Sequence, residues 1–149
     1  MRVVIQRVSE ASVEVNNSYT NSINKGFMIL LGICEGDTND DLEYIIGKIE
    51  KLRIFEDENE KMNLSIKDIN GEILLVSQFT LYASTKDGNR PSFTKSMKFD
   101  EANKMYEIFK SRLGETGIPF KIGEFGANMK VSLINDGPVT IIVDSKNKE

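Results

Sequence analysis

The sequence predicts a mixed α/β fold, with a largely antiparallel, curved or barrel-like β-sheet and two main helices. Strand-like alternation of apolar and polar residues dominates the first third of the chain and returns at its end, where the strands follow one another as in hairpins. Two segments between them carry apolar residues at helical spacing. At 149 residues the chain has the length of one domain, which we expect to span 1–149.

The N-terminal third predicts strands. Residues alternate in character from Val3 to Val8, and Val13 and Val15 continue the pattern. The elements that follow are a turn at 16–18, a short strand at 19–23 and a continuous apolar strand at 27–33. We therefore expect a sheet to begin with the first residues.

Two helices are predicted from spacing and from their end signals. The first carries Leu42, Ile45, Ile46, Ile49 and Leu52 on one face. Thr38 and Asp41 form a plausible capping pair at its start. The second begins near Asp100 and ends at 114–117, before Pro119. Its apolar face holds Ala102, Met105, Tyr106, Phe109 and Leu113.

The remaining segments predict loops and strands. Residues 57–71 form a polar loop with short structured pieces, 73–80 a buried strand, and 84–98 an ordered or semi-ordered loop. Three strands close the chain at 120–125, 129–134 and 138–143. The segment NDGPVT, 135–140, indicates a tight hairpin turn between the last two strands. Pro138 is unexpected there, because it removes a backbone donor where a strand begins.

Composition excludes several kinds of active site. The chain has no histidine and one cysteine, so Ser-His-Asp and Cys-His machinery and histidine or cysteine zinc sites are excluded within one chain. Cys34 lies in an apolar run and is interpreted as a core thiol, compatible with a reducing cytoplasm. No apolar run is long enough for a membrane helix, and the start is unlike a signal peptide. We expect a cytoplasmic protein that uses no metal or cofactor.

Three segments could hold a site, and each has a structural alternative. Ser77, Gln78, Thr80 and Tyr82 cluster at a strand end, where they either line a site or satisfy nearby backbone. The segment GEFGANMKV, 123–131, is either a packed corner or a pocket wall. The third segment is either a local basic patch or a solvated loop, in a chain of net charge −4: Lys86, Arg90, Lys95 and Lys98.

Taken together, these motifs resemble the D-aminoacyl-tRNA deacylase family of bacteria and eukaryotes. SQFTLYA, the NRPSF run at 89–93, GEFGANMKV and NDGPVT carry the resemblance, and MRVVIQRV and LRIF are similar too. The resemblance covers essentially the whole chain. It implies a β-barrel-like fold with helices outside, a homodimer, and hydrolysis of the ester between a D-amino acid and the terminal ribose of tRNA.

The resemblance also implies roles for individual residues. Ser77, Gln78, Phe79 and Thr80 would line the catalytic pocket, and Phe125 and Met129 would contact the terminal adenosine and the aminoacyl end. Gly137-Pro138 would be a cis peptide that reaches into the partner subunit's pocket, with Arg7 holding it. Independently of the resemblance, the charge pattern makes Lys86, Arg90, Lys95 and Lys98 the candidates for contact with tRNA phosphates.

The residues themselves are compatible with this chemistry. An aminoacyl ester is already activated, so its hydrolysis needs a positioned water and oxyanion stabilisation, which backbone N–H groups near Phe79 and Thr80 could supply. Thr80 lacks a histidine base, and the 2′-hydroxyl of the substrate ribose could activate water instead. Two other functions stay open: a non-catalytic barrel that binds RNA 3′ ends, and a small-molecule esterase or amidase.

Overall fold

A computed structural model describes residues 1–149, and its sheet confirms the predicted α/β class. The strands are β1 (Arg2–Val15), β2 (Tyr19–Ile23), β3 (Gly26–Gly32), β4 (Phe55–Glu56), β5 (Met62–Leu64), β6 (Glu72–Ser77), β7 (Phe120–Ile122) and β8 (Met129–Asp144). The helices are α1 (Asn39–Lys51), a 3-10 helix (Phe79–Tyr82) and α2 (Phe99–Glu115). Neither α1 nor α2 is both long enough and apolar enough to cross a membrane.

The six-stranded sheet is organised around β1. Its order is β2-β1-β3-β6-β7, and β8 also pairs with β1. The three pairings of β1 are antiparallel, whereas β3–β6 and β6–β7 are parallel. The side-chain amide nitrogen of Asn21 in β2 donates to the Ile122 carbonyl in β7 at 2.7 Å. This bond links the first and last strands of the sheet order. The sheet therefore curves into a nearly closed barrel.

Two apolar clusters fill the molecule. The larger packs one face of the sheet against α1 and α2, with Ile45, Phe109 and Leu113 fully buried. The smaller includes Val13 and Leu74. Alternate side chains of a strand point to opposite faces, so β3 supplies Phe27 to the larger cluster and Met28 to the smaller one.

The predicted capping pair at the start of α1 is confirmed. The Thr38 N–H donates to the Asp41 carboxylate at 2.8 Å, as expected of a capping pair. The Asp41 side chain also receives a hydrogen bond from Lys146 at 2.8 Å, so the start of the helix is tied to the chain end beyond β8. Burial acts to raise the Asp41 pKa, but the Lys146, Ser145 and Thr38 hydrogen bonds outweigh it and lower that pKa.

Two predicted strand boundaries and the expected core position of Cys34 are wrong. Strand β6 ends at Ser77, and Phe79 and Thr80 belong to the 3-10 helix instead. Strand β7 ends at Ile122, because the chain turns at the two glycines of the 123–126 segment. Cys34 lies after β3, half-buried rather than in the core.

The predicted hairpin at NDGPVT is also wrong. Both flanking segments pair with β1, from Arg2↔Asp144 to Val15↔Met129, as one long strand β8. Between the pairs Gln6↔Thr140 and Val8↔Asn135 the register shifts, so the residues between Asn135 and Thr140 bulge out of the ladder. The Asn135 side-chain oxygen accepts the Val139 N–H at 3.0 Å and closes the base of this bulge.

Candidate functional site

A cavity of about 560 Å³ opens beside the end of β6. Its walls come from β6 and the 3-10 helix on one side and from the corner after β7 and the start of β8 on the other. The start of α2 completes the rim with Phe99 and Ala102. Most of the lining is hydrophobic, as is typical of a pocket for a small organic group.

The first wall is the SQFT segment. Ser77, Gln78 and Phe79 line the cavity, whereas Thr80 does not. The Gln78 N–H donates to the Leu31 carbonyl at 2.8 Å and thereby extends the β3–β6 ladder by one bond. The Gln78 amide nitrogen donates to the Thr80 hydroxyl oxygen. The Thr80 hydroxyl therefore has an amide as its hydrogen-bonding neighbour and no base.

The 3-10 helix that follows this wall begins with two backbone donors. Phe79 and Thr80 are its first two residues, and N–H groups in the first turn of a helix have no acceptor inside that helix. The Phe79 carbonyl is held by the Ser96 hydroxyl, which donates to it at 3.1 Å. At the other end, Arg2 donates to the Leu81 carbonyl at 2.8 Å. The orientation of the turn is fixed from both ends.

The second wall is the 123–129 corner. Phe125 and Met129 line the cavity, as does Gly126. Gly126 has a φ of +76°, and a Cβ there would lie 2.6 Å from the Phe99 ring, so the corner requires glycine. The Phe99 and Phe125 rings meet edge to face with centroids 5.2 Å apart. Two flat aromatic groups thus stand together on this side of the opening.

Several lining residues escaped the sequence analysis. Phe99 opens the second helix but is 61% exposed, and Ser96 and Asn128 looked like ordinary loop residues. The only sequence signal was the position of Asn128 inside the GEFGANMKV motif. Ser96 and Phe99 are brought to the cavity by the path of the 84–98 loop, which no local pattern encodes.

The cavity is electrically neutral. No side chain that lines it is titratable. Tyr106 packs behind Phe125 with ring centroids 5.3 Å apart, and burial raises the pKa of its hydroxyl. Burial likewise raises the pKa of the Tyr82 hydroxyl and of the Cys34 thiol. These groups stay uncharged near neutral pH, so this chain supplies no general base to the cavity.

The basic segment lies next to the first wall. Lys86, Arg90, Lys95 and Lys98 are exposed, and none of them forms an ion pair. The loop is closed by paired backbone bonds between Ser84 and Ser92, at 2.8 and 2.9 Å. This places Phe93 edge to face against Phe79, with centroids 4.9 Å apart. The cations are therefore carried by a loop that is anchored to the cavity.

Gly137 and Pro138 lie elsewhere, on the bulge of β8, and Arg7 lies beneath them on β1; none of the three lines the cavity of its own chain. The Gly137–Pro138 peptide bond is cis. Arg7 is 5% exposed and donates to the carbonyls of Asp136 and Ile54, both at 2.8 Å. Gly137 has a φ of +137°, and a Cβ there would lie 2.8 Å from the Arg7 guanidinium. The bulge is therefore an exposed segment of main chain whose position is fixed by hydrogen bonds from the buried guanidinium of Arg7.

The chain shows no group of three or more acidic or cysteine side chains that could hold a metal ion. What the site offers is an apolar, aromatic cavity with backbone N–H donors and neutral polar side chains at one wall. Such a site can bind a planar group and stabilise a developing oxyanion.

Comparison with known sequences points to one family. The sequence model described as D-Tyr-tRNA(Tyr) deacylase matches residues 4–144. A D-aminoacyl-tRNA deacylase of Finegoldia magna is 56% identical over 148 residues, which cover 99% of this chain and 100% of that protein. One from Flavobacterium psychrophilum is 59% identical over 150 residues, which cover 100% of both chains.

Solved structures share the fold. A structure described as c-Myc DNA unwinding element binding protein superposes with a TM-score of 0.90 at 42% identity, over 97% of this chain and 98% of that one. A probable eukaryotic D-amino acid tRNA deacylase superposes with a TM-score of 0.83 at 19% identity, over 96% of this chain and 98% of that one. The second likeness concerns the fold alone.

Proposed function

The chain belongs to the D-aminoacyl-tRNA deacylase family, a family of hydrolases, and we propose that it cleaves D-amino acids and glycine from the 3′-terminal ribose of tRNA while sparing L-aminoacyl-tRNA. Its substrate is then an aminoacyl-tRNA, and its role is proofreading. The proposal for the chemistry rests on one observation: the cavity joins backbone donors to apolar walls and contains no titratable side chain.

The neutral cavity favours hydrolysis assisted by the substrate. Water attacks the ester carbonyl, the carbon–oxygen bond to the ribose breaks, and the ribose hydroxyl leaves with a proton. The Phe79 and Thr80 N–H groups stabilise the oxyanion, a contribution that is often the largest in such reactions. The vicinal 2′-hydroxyl of the terminal ribose positions or activates the water, because the chain supplies no base to the cavity.

Thr80 acts in this scheme as a positioning group together with Ser77. A hydroxyl becomes a strong nucleophile when it donates its proton to an adjacent base. The neighbour of the Thr80 hydroxyl is the Gln78 carboxamide, which has no basic nitrogen. A covalent threonyl intermediate is therefore disfavoured.

Chiral selection is assigned to the bulge of a second subunit. Rejection by weaker apolar contact is worth only about 1–3 kcal/mol, whereas a rigid obstacle in the path of the wrong substituent does better. Asp136, Gly137 and Pro138 are exposed, and Arg7 fixes the Asp136 carbonyl. In a homodimer, this projection would enter the partner's cavity and occupy the space of an L side chain with main-chain atoms. Glycine has no side chain and escapes it.

The basic loop is proposed to bind the tRNA backbone. Lys86, Arg90, Lys95 and Lys98 are exposed and free of ion pairs, and the loop that carries them packs on the cavity through Phe93 and Ser96. Phosphates that follow the acceptor end would meet these cations as the terminal nucleoside enters the cavity.

The test is deacylation of matched D-alanyl-, L-alanyl- and glycyl-tRNA by the purified protein, with and without EDTA. We expect D-alanyl- and glycyl-tRNA to be cleaved, L-alanyl-tRNA to be spared, and EDTA to change nothing. Comparable cleavage of D- and L-alanyl-tRNA would overturn the chiral selection. Loss of activity in EDTA that a divalent ion restores would overturn the metal-free mechanism.

The same assay separates the alternatives. Binding of tRNA without release of the amino acid would identify a non-catalytic barrel that recognises RNA 3′ ends. Hydrolysis of a free D-aminoacyl ester with no requirement for the terminal adenosine would identify a small-molecule esterase or amidase.

A further inference from the structure

Asn128 is a polar residue of the cavity wall with an unused side chain. The polar side chains that line the cavity are those of Ser77, Gln78, Ser96 and Asn128. The Gln78 amide nitrogen and the Ser96 hydroxyl already donate to Thr80 and to the Phe79 carbonyl. The Asn128 carboxamide makes no hydrogen bond within the chain, and the residue is exposed. It offers a free donor and a free acceptor at the opening.

The backbone of Asn128 is held in place by the turn between β1 and β2. The Asn16 N–H donates to the Asn128 carbonyl at 2.9 Å, and the Asn128 N–H donates to the Asn16 side-chain oxygen at 3.2 Å. The side-chain amide nitrogen of Asn16 also donates to the Glu124 carboxylate at 3.3 Å, at the other side of the 123–129 corner. The carboxamide therefore extends from a fixed main chain, as a recognition group requires.

The neighbours of Asn128 are suited to a nucleobase. Phe99 and Phe125 form an edge-to-face pair on the same wall, and Phe99 is 61% exposed. Unpaired bases are bound by stacking on aromatic side chains, with hydrogen bonds to the base edges. A purine stacked on these rings leaves its edge free for a polar group beside them. Met129, the next residue, also lines the cavity.

We propose that Asn128 reads the edge of the terminal adenine of the tRNA. A carboxamide matches adenine in two contacts, in which its oxygen accepts from the 6-amino group and its nitrogen donates to the ring nitrogen at position 7. Guanine presents an oxygen in place of the amino group, so the carboxamide oxygen would face another acceptor. The assignment rests on the proposed function, because that function supplies the adenosine.

The test uses D-alanyl-tRNA whose terminal adenosine is replaced by purine riboside, which lacks the 6-amino group, or by 7-deazaadenosine, which lacks the nitrogen at position 7. We expect each analogue to lower the wild-type kcat/KM. The two losses together should amount to about 5- to 100-fold, the range of a bidentate pair. Asn128→Ala should lose a similar factor on normal tRNA and be indifferent to both analogues.

Asn128→Asp separates the two contacts. An aspartate keeps an oxygen acceptor for the 6-amino group, but it replaces the amide donor with a second acceptor that faces the nitrogen at position 7. This variant should still respond to loss of the 6-amino group, whereas the 7-deaza change should no longer lower its kcat/KM and should raise it by removing that repulsion. Asn103→Ala is the matched control, because Asn103 lies on α2 and does not line the cavity. It should respond to both analogues as wild type does. Thermal unfolding of each variant checks that the fold is intact.

Two results overturn the inference while the proposed function stands. One is a wild-type enzyme that cleaves D-alanyl-tRNA and is indifferent to both analogues. The other is an Asn128→Ala variant that keeps the wild-type response to them, which would place base recognition elsewhere. A wild-type protein that cleaves no D-alanyl-tRNA of any kind would instead overturn the proposed function and this inference with it.

Discussion

The cavity and the bulge of β8 both involve the same strand, yet they are built by opposite means. The cavity, which includes Met129 at the start of β8, contains no titratable side chain and relies on backbone donors and aromatic walls. The bulge, in the middle of the strand, is exposed main chain fixed by the buried guanidinium of Arg7. Chemistry on an activated ester requires fixed dipoles, whereas exclusion of a substituent requires atoms that cannot move.

Under the proposed function, this difference would separate the rate of cleavage from the selectivity for D over L substrates. Changes in the cavity should alter the rate on every accepted substrate and leave the ratio of D to L cleavage unchanged. Changes beneath the bulge should alter that ratio first.

The strongest test removes one backbone donor from the cavity. Phe79→Pro and Phe79→Ala both lose the ring, but only proline also removes the N–H. Proline suits this position, because Phe79 is the first residue of the 3-10 helix and Gln78 before it, at φ −149° and ψ 87°, lies outside the α region that a following proline disfavours. We expect kcat of Phe79→Pro to be about 10²–10³-fold below that of Phe79→Ala, the cost of one oxyanion donor. Single-turnover deacylation measures it.

The D-to-L ratio is the control for this pair and should be the same in both variants. Equal rates for Phe79→Pro and Phe79→Ala, with both proteins folded, would mean that the Phe79 N–H takes no part in the reaction.

The second test loosens the bulge. Arg7→Lys keeps the charge but loses the fork that reaches the Asp136 and Ile54 carbonyls together. We expect the ratio of D-alanyl- to L-alanyl-tRNA cleavage to fall by about 10- to 100-fold. The free energy of unfolding should fall by about 1.5–3 kcal/mol, the value of a lost hydrogen bond to a charged group.

Denaturant unfolding and parallel deacylation of the two substrates make these measurements. Arg112→Lys is a matched control, because Arg112 on α2 uses its guanidinium to donate to both carboxylate oxygens of Glu43 on α1, away from the bulge and the cavity. An unchanged ratio in a folded Arg7→Lys protein would remove the bulge from chiral selection.

The third test concerns the loop beside the cavity. If all four of its cations meet phosphates, replacing Lys86, Arg90, Lys95 and Lys98 with alanine should flatten the plot of log affinity against log salt. The expected reduction in slope is about 3, because each phosphate contact contributes about 0.7–0.9. Arg7→Lys should leave the slope unchanged, because Arg7 is buried beneath the bulge.

Binding of tRNA across a salt series provides the measurement. A variant with the same change in net charge is the control, made from exposed lysines elsewhere: Lys25, Lys51, Lys61 and Lys121. If the control flattens the slope and the loop variant does not, the RNA surface lies away from the cavity.

The smallest effect is expected for the Thr80 hydroxyl. Thr80→Ala should keep kcat within about 10-fold of wild type, because the hydroxyl accepts a hydrogen bond from Gln78 and touches no base. Removal of a true nucleophile costs about 10⁶-fold. A folded but inert variant, or a trapped threonyl ester, would overturn the substrate-assisted mechanism.

Local signals in the sequence were sufficient for most elements. The apolar spacing and the Thr38–Asp41 pair located α1, and the alternation of Val13 and Val15 located the second half of β1. Such patterns depend on residues only a few positions apart, so they predict the same helix or strand in any fold that buries one face of that element. The absence of histidine likewise limits the chemistry that the chain can perform, whatever its fold.

The site was only partly accessible in this way. Ser77, Gln78, Phe79, Phe125 and Met129 were found through their motifs, and all of them line the cavity. The roles of Phe99, Ser96 and Asn128 depend on contacts between segments that are distant in sequence, such as the hydrogen bonds of Asn16 to Asn128. No window of neighbouring residues contains that information.

The NDGPVT segment shows where local information ends. The sequence alone indicated that the backbone departs from a regular strand there, because Asn135, Asp136 and Gly137 are typical turn residues and glycine can adopt the φ of +137° that other residues rarely adopt. Only the tertiary structure decided that the departure is a bulge rather than a hairpin. A hairpin and a bulge use the same turn residues and differ in the strand that each flank pairs with. Both flanks pair with β1 because its 14 residues run the length of β8 and its buried Arg7 holds the Asp136 carbonyl between them.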